Sequence, residues 1–269
     1  MKTHDIAYGT RRILVLLNTI GLVVTVVMNA LANGLPLNGR LTGEISDSIP
    51  NLFVPSGTTF AIWGVIYALL ILFIGYQWFS LRDKEHDGAL VGAVGPWFFI
   101  SSLANSLWIV AWHWSLVGLD LLLMLALLAS LIVMHGATRL EKSASVLKKV
   151  AVALPVSVYL GWITVATVAN ATSNLVLLGW NGFGLPESFW TVLVMVVAML
   201  LNILAVFIHG DYGYALVGIW AFFGIYTKRT MSQFEPVQAV IAMAVVGMVA
   251  MALAIVVKLL LPFFKKNQR

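Results

Sequence analysis

The chain has 269 residues, 61% of them hydrophobic and 10% charged, with a formal net charge of +5 and no cysteine. A soluble domain would be about a quarter charged, so this composition excludes an ordinary globular domain and points to an integral membrane protein whose first partner is the lipid bilayer. The missing cysteines exclude disulfides, thiolate nucleophiles and Cys-ligated metal. The basic residues cluster at the ends of apolar segments, which leaves nucleic acid without a binding surface.

The apolar segments are too long for barrel strands. The fold class expected is therefore all-α, a polytopic helical membrane protein with about eight transmembrane helices. In chain order the spans fall near 13–32, 58–79, 94–114, 116–138, 150–173, 188–208, 212–227 and 236–261, the seventh being the shortest. The first follows Arg11 and Arg12 and ends near Ala30-Leu31-Ala32, like a signal peptide. Its length, and the shared face of Asn18, Gly21, Thr25 and Asn29, favour a retained span. The segment Asn33 to Gly57, rich in Gly, Pro, Asn and Ser, has the length of a binding loop or lid. A tight hairpin joins the third and fourth spans.

Thirteen of the sixteen Lys and Arg fall on one side of this scheme, leaving Arg40, Lys228 and Arg229 on the other. The bias predicts both termini in the cytoplasm, with Lys228 and Arg229 as the misfit. The expected location is a bacterial cell (inner) membrane.

Three spans carry a polar and aromatic stripe. Trp63 and Tyr67 share a face of the second span. Ser101, Asn105, Trp108 and Trp112 share one on the third, and Tyr159, Trp162, Ala166 and Asn170 one on the fifth. An amide in hydrocarbon is costly unless it meets a partner or a cavity. The stripes should therefore face inward, either to hydrogen-bond between helices or to line a ligand pocket. Asp120, near the start of the fourth span, reads as a helix cap or as a proton carrier. His113 and His135 lie near span ends without metal-ligand spacing, so no metal site is expected. No serine–histidine–acid set or paired carboxylates are visible, which leaves enzyme activity without a candidate catalytic residue.

These residues resemble the TspO/MBR family, the tryptophan-rich sensory proteins related to the translocator protein. Pro55 with Trp63-Gly64-Val65-Ile66-Tyr67 is similar to the pattern of its second helix. Asn105-Ser106-Leu107-Trp108 with Trp112 resembles the third, Leu119-Asp120-Leu121-Leu122-Leu123 the fourth, and Tyr159-Leu160-Gly161-Trp162 through Thr167 to Asn170 the fifth. Gly57 stands where the family usually has tryptophan, and Val158 where it has proline. The likeness covers roughly residues 13–175. It implies a five-helix TspO-like module over 1–180 and a three-helix C-terminal extension over 181–269. It further implies that Trp63, Tyr67, Asn105, Trp108, Trp112, Tyr159, Trp162 and Asn170 bind a small hydrophobic, planar ligand. A porphyrin or another tetrapyrrole would be the ligand, with no cofactor required, in a sensory, regulatory or transport role. A homodimer is compatible with this reading. The alternatives are a proton-coupled secondary transporter using Asp120, a porphyrin-modifying enzyme, and a scaffold whose stripes only pack.

Overall fold

The computed structural model describes residues 8–82, 88–138 and 145–266, and the described residues are all-α. In chain order they form α1 (Tyr8–Gly34), α2 (Thr42–Ser48), α3 (Ile62–Ser80), α4 (Gly88–Val94), α5 (Trp97–His113) and α6 (Leu119–Ala137). These are followed by α7 (Val146–Lys148), α8 (Leu154–Leu177), α9 (Glu187–Leu204), α10 (Tyr212–Thr230) and α11 (Gln238–Lys266). The eight long helices correspond one to one with the expected spans. Six helical stretches, those containing α1, α3, α6, α8, α9 and α11, are long and apolar enough to cross a membrane. Of the other two, α5 has 17 residues and α10 carries Lys228 and Arg229 in its last turn.

Exposed apolar faces explain why these helices need lipid. Ile13, Leu16, Ile20, Val23 and Val27 line one side of α1, and Leu193, Val197, Leu200 and Leu204 one side of α9, all exposed. In water such faces would be a large aggregation surface, whereas in a bilayer they cost nothing. The protein is an integral membrane protein of the polytopic helical kind.

The chain divides into two compact units, one of residues 1–45 and 62–163, the other of residues 46–61 and 164–269. The division falls inside α8 rather than at residue 180, and it gives residues 46–61 to the C-terminal half. The physical reason is the set of contacts those residues make with α8, α9 and α10, described below.

In the first unit α1 packs against α3, α4 and α5, and α5 against α6. The polar stripe of α1 faces inward, with Asn18, Gly21, Thr25 and Asn29 all buried. A Cβ on Gly21 would lie 2.9 Å from Ser102 Oγ, so glycine here sets how closely α1 and α5 approach. At that approach Thr25 Oγ1 donates to Ser102 O over 3.5 Å and Asn29 Nδ2 to Asn105 Oδ1 over 2.9 Å. Towards the start of α1, Asn18 Nδ2 donates to Gln77 Oε1 over 2.9 Å. The hairpin after α5 is made by Ser115 and Gly118 at positive φ, 51° and 85°, which lets α6 turn straight back.

In the second unit α9, α10 and α11 pack on one another around Met195, Phe222, Ile225, Ala244 and Met251, with Phe53 joining that core. Residues 46–61 form a strap rather than a free loop. Asn51 Nδ2 donates to Thr172 Oγ1 (2.8 Å) and Ser173 Oγ (3.1 Å), and its Oδ1 accepts the Phe53 N–H. Glu187 Oε1 accepts the Leu52 N–H at 2.7 Å. Ser56 N–H donates to Gly224 O, Trp220 Nε1 to Thr59 O, and the Ser56 and Thr227 hydroxyls meet at 3.0 Å. Gly224 is what admits the strap, because a Cβ there would collide with Thr59 and Pro55.

Lys228 and Arg229 are buried. Lys228 Nζ sits 2.6 Å from Asp47 Oδ1, Arg229 Nη2 donates to Asn51 O, and both cations lie over the Phe234 ring. The two cations that stood apart from the loop bias are thus held by partners inside the unit. Of the residues that carry the bias, Lys2, Lys84, Arg139, Lys142 and Arg269 lie outside the described residues, as do both termini.

Candidate functional site

Seven of the eight residues expected to bind ligand lie in the first unit. Trp63 and Tyr67 sit one turn apart at the start of α3 and stack at 5.5 Å. The Trp63 ring also meets Tyr159 at 6.0 Å and Trp162 at 6.4 Å, both edge-on, from the α8 part of the same unit. On α5, Trp108 and Trp112 stack at 5.8 Å, one turn beyond the Asn29–Asn105 pair. Helical spacing causes both stacks, since residues four apart are neighbours on one face. The Phe73–Phe98 contact, 5.7 Å between centroids, places α3 beside α5.

Asn170 falls in the second unit, buried, and its carbonyl accepts from Asn174 Nδ2 at 3.0 Å. Asp120, also buried, accepts the N–H of its neighbour Leu121 at 2.8 Å in the first turn of α6, where its charge faces the positive end of the helix, but the N-cap position belongs to Gly118 and carries no side-chain cap bond.

The polar atoms of this set are unusual. Tyr67 Oη, Asn105 Nδ2, Trp108 Nε1 and Tyr159 Oη are all buried and have no hydrogen-bond partner among the described residues. Each is able to donate a proton. In hydrocarbon-like surroundings an unmade hydrogen bond costs about 1–3 kcal/mol, and a scaffold could avoid it by using phenylalanine or leucine. Trp63 and Tyr67 are partly exposed, whereas Asn105, Trp108, Tyr159 and Trp162 are buried. The set therefore grades from a partly open edge to a closed interior.

Sequence reasoning treated Asn33 to Gly57 as one loop, and the structure breaks it into pieces. α2 lies within it, and the part before α2 is latched to the end of α5. Asn38 Nδ2 donates to His113 O at 2.9 Å, and Trp112 Nε1 donates to Thr42 O at 3.3 Å. His113 Nδ1 sits 2.8 Å from Ile109 O, the geometry of a donated bond, which leaves Nε2 to accept from the Thr42 hydroxyl at 3.5 Å. This segment covers Trp112 from above. Gln77 was missed as the partner of Asn18. An amide in an otherwise apolar run was the available signal, but its partner is 59 residues away.

A cavity of ≈ 370 Å³ lies in the second unit, and none of the eight predicted residues lines it. Its walls include Trp180 and Trp190, which sequence reasoning left unassigned.

Apolar helices around an inward-facing aromatic and amide stripe define the class, a helical membrane protein with a buried aromatic site. The sequence pattern of the family described as TSPO-like protein matches residues 15–257, and the chain belongs to that family. The match includes α9, α10 and most of α11, beyond the five helices that the motif likeness reached. No curated protein and no solved structure matches the chain.

Proposed function

We propose that the first unit binds a planar, mostly apolar ligand that carries hydrogen-bond acceptors, a porphyrin or related tetrapyrrole, in a sensory, regulatory or transport role. The four buried donors without partners carry this reading. Their surroundings are aromatic, which suits the flat faces of a macrocycle by stacking worth about 0.5–1.5 kcal/mol per ring pair beyond area burial. All four can donate a hydrogen bond, which suits the carboxylates of such a ligand. Asn105 and Tyr159 would hold the acceptor groups, Trp63, Trp108, Trp112 and Trp162 the rings, with Tyr67 at the edge. A lipophilic ligand concentrates in the bilayer, so the partly exposed Trp63–Tyr67 edge is where it would enter.

On the same reading the protein works in a cell membrane with both termini in the cytoplasm. The sequence bias supports this, because thirteen of the sixteen Lys and Arg fall on the side assigned to the cytoplasm.

The test is titration of the purified protein with protoporphyrin IX while tryptophan emission is followed. Saturable quenching is expected, with affinity about tenfold lower in a Tyr67→Phe, Tyr159→Phe double variant and in Trp108→Phe. Quenching that is unchanged in both variants, with the helical content intact, would show that the rings only pack.

A further inference from the structure

The cavity of the second unit is built from four short pieces: Pro50 and Asn51 of the strap, the last turns of α8, the turn at residues 180–185, and the start of α9. Its volume, ≈ 370 Å³, is at the small end of the range for ligand pockets, about 300–1,000 Å³. Most of the polar groups at its wall are already used. Asn51 is bonded at both ends of its amide, Thr172 Oγ1 donates to its own helix, and Trp190 Nε1 donates to Gly182 O at 2.9 Å. Two features remain. The indoles of Trp180 and Trp190, tilted at 56° with centroids 5.2 Å apart, both line the cavity, with Phe183 packed against each and Phe189 against Trp190. Glu187 uses Oε1 to hold the Leu52 N–H, on an exposed side chain. Its charge also acts on Arg229, which is not among the lining residues and is hydrogen-bonded to Asn51 O beside the Phe234 ring.

A carboxylate beside two indoles, in a small hollow whose other polar groups are mostly bonded within the protein, is the arrangement that favours an organic cation. We propose that this cavity is a second binding site, for an alkylated ammonium group bearing a short apolar substituent. The same chemistry is offered by a soluble amine and by the headgroup of a choline lipid. The site is independent of the tetrapyrrole reading, because none of its lining residues belongs to the aromatic set of the first unit.

The experiment uses the full chain in nonionic micelles and isothermal titration calorimetry with benzyltrimethylammonium. Neopentylbenzene, its uncharged isostere, is the control. One saturable site is expected for the cation, with the isostere at least about tenfold weaker. Glu187→Gln keeps the carbonyl oxygen that receives Leu52 N–H and removes the charge, and it should weaken the cation by about tenfold. Trp180→Ala, at a more exposed ring, should do the same, while Tyr159→Phe should leave this binding untouched. Repeating the titration in phosphatidylglycerol nanodiscs with and without phosphatidylcholine separates the sources. Suppression by the choline lipid identifies the headgroup as occupant, and its absence identifies a soluble amine. Equal affinity for the uncharged isostere, unchanged affinity in both the Glu187 and Trp180 variants, or no saturable binding in either medium would overturn the proposal.

Discussion

The two units differ in how far their buried polarity is bonded. In the second, polar side chains fasten one piece of chain to another. Asn51 is bonded to two hydroxyls and a backbone N–H, Lys228 is paired with Asp47, and the Ser56, Thr58, Thr59 and Thr227 hydroxyls form a closed group. Asn170, Asn202 and Arg229 each have one unpartnered side-chain atom there, but each of these residues makes another interaction. In the first unit Tyr67, Trp108 and Tyr159 have only one polar side-chain atom apiece, and in each it is unpartnered. Polarity that only stabilises would be bonded as in the strap. Polarity that is retained unbonded, at a cost to stability, is better explained by a guest than by the fold.

If that contrast is right, breaking the strap should be the most damaging change available. Gly224→Val would drive a branched side chain into Thr59 and Pro55. It should cost about 3 kcal/mol or more, read as a lowered thermal midpoint in detergent. Gly75→Val, at a position on α3 with open space around it, should stay within about 0.5 kcal/mol. Similar losses in the two variants would mean that the strap is not a fastening. The ion pair comes next. Asp47→Asn leaves Lys228, 3% exposed, without its carboxylate, although Asp47 itself is 44% exposed. The expected loss is about 2 kcal/mol, below the 3–5 kcal/mol of a fully buried pair. Adding Lys228→Met should restore part of it, since the uncompensated charge is then gone.

Much of this contrast was legible in the chain, though unevenly. The spans were readable because hydrocarbon thickness imposes a length and an apolar composition on any crossing helix. The inward stripes of α1 and α5 followed from 100° spacing alone. The strap was not legible. Its Gly, Pro, Ser and Asn residues satisfy the rules for a mobile loop, and only its partners on α8, α9 and α10 make it rigid. The fastening made by Lys228 was not legible for the same reason, because its partner Asp47 is 181 residues away. Asn170 was grouped with Tyr159 and Trp162 by helical phase. Phase places residues on one face and says nothing of which unit that face serves.

The subtlest expectation is also the one that separates a guest site from a packing site. Tyr159→Phe deletes a buried hydroxyl that has no partner, so nothing that holds the unit together is lost. Stability without ligand should be unchanged or rise by up to about 1 kcal/mol, because an unmet desolvation cost disappears. In a packing site of the second unit's kind, removing a polar atom orphans its partner and stability falls. The sign of the midpoint shift, small as it is, therefore decides between the two. A drop of about 1–3 kcal/mol in Tyr159→Phe would mean that the hydroxyl is already hydrogen-bonded inside the protein. The reason to expect a guest at that position would then be gone.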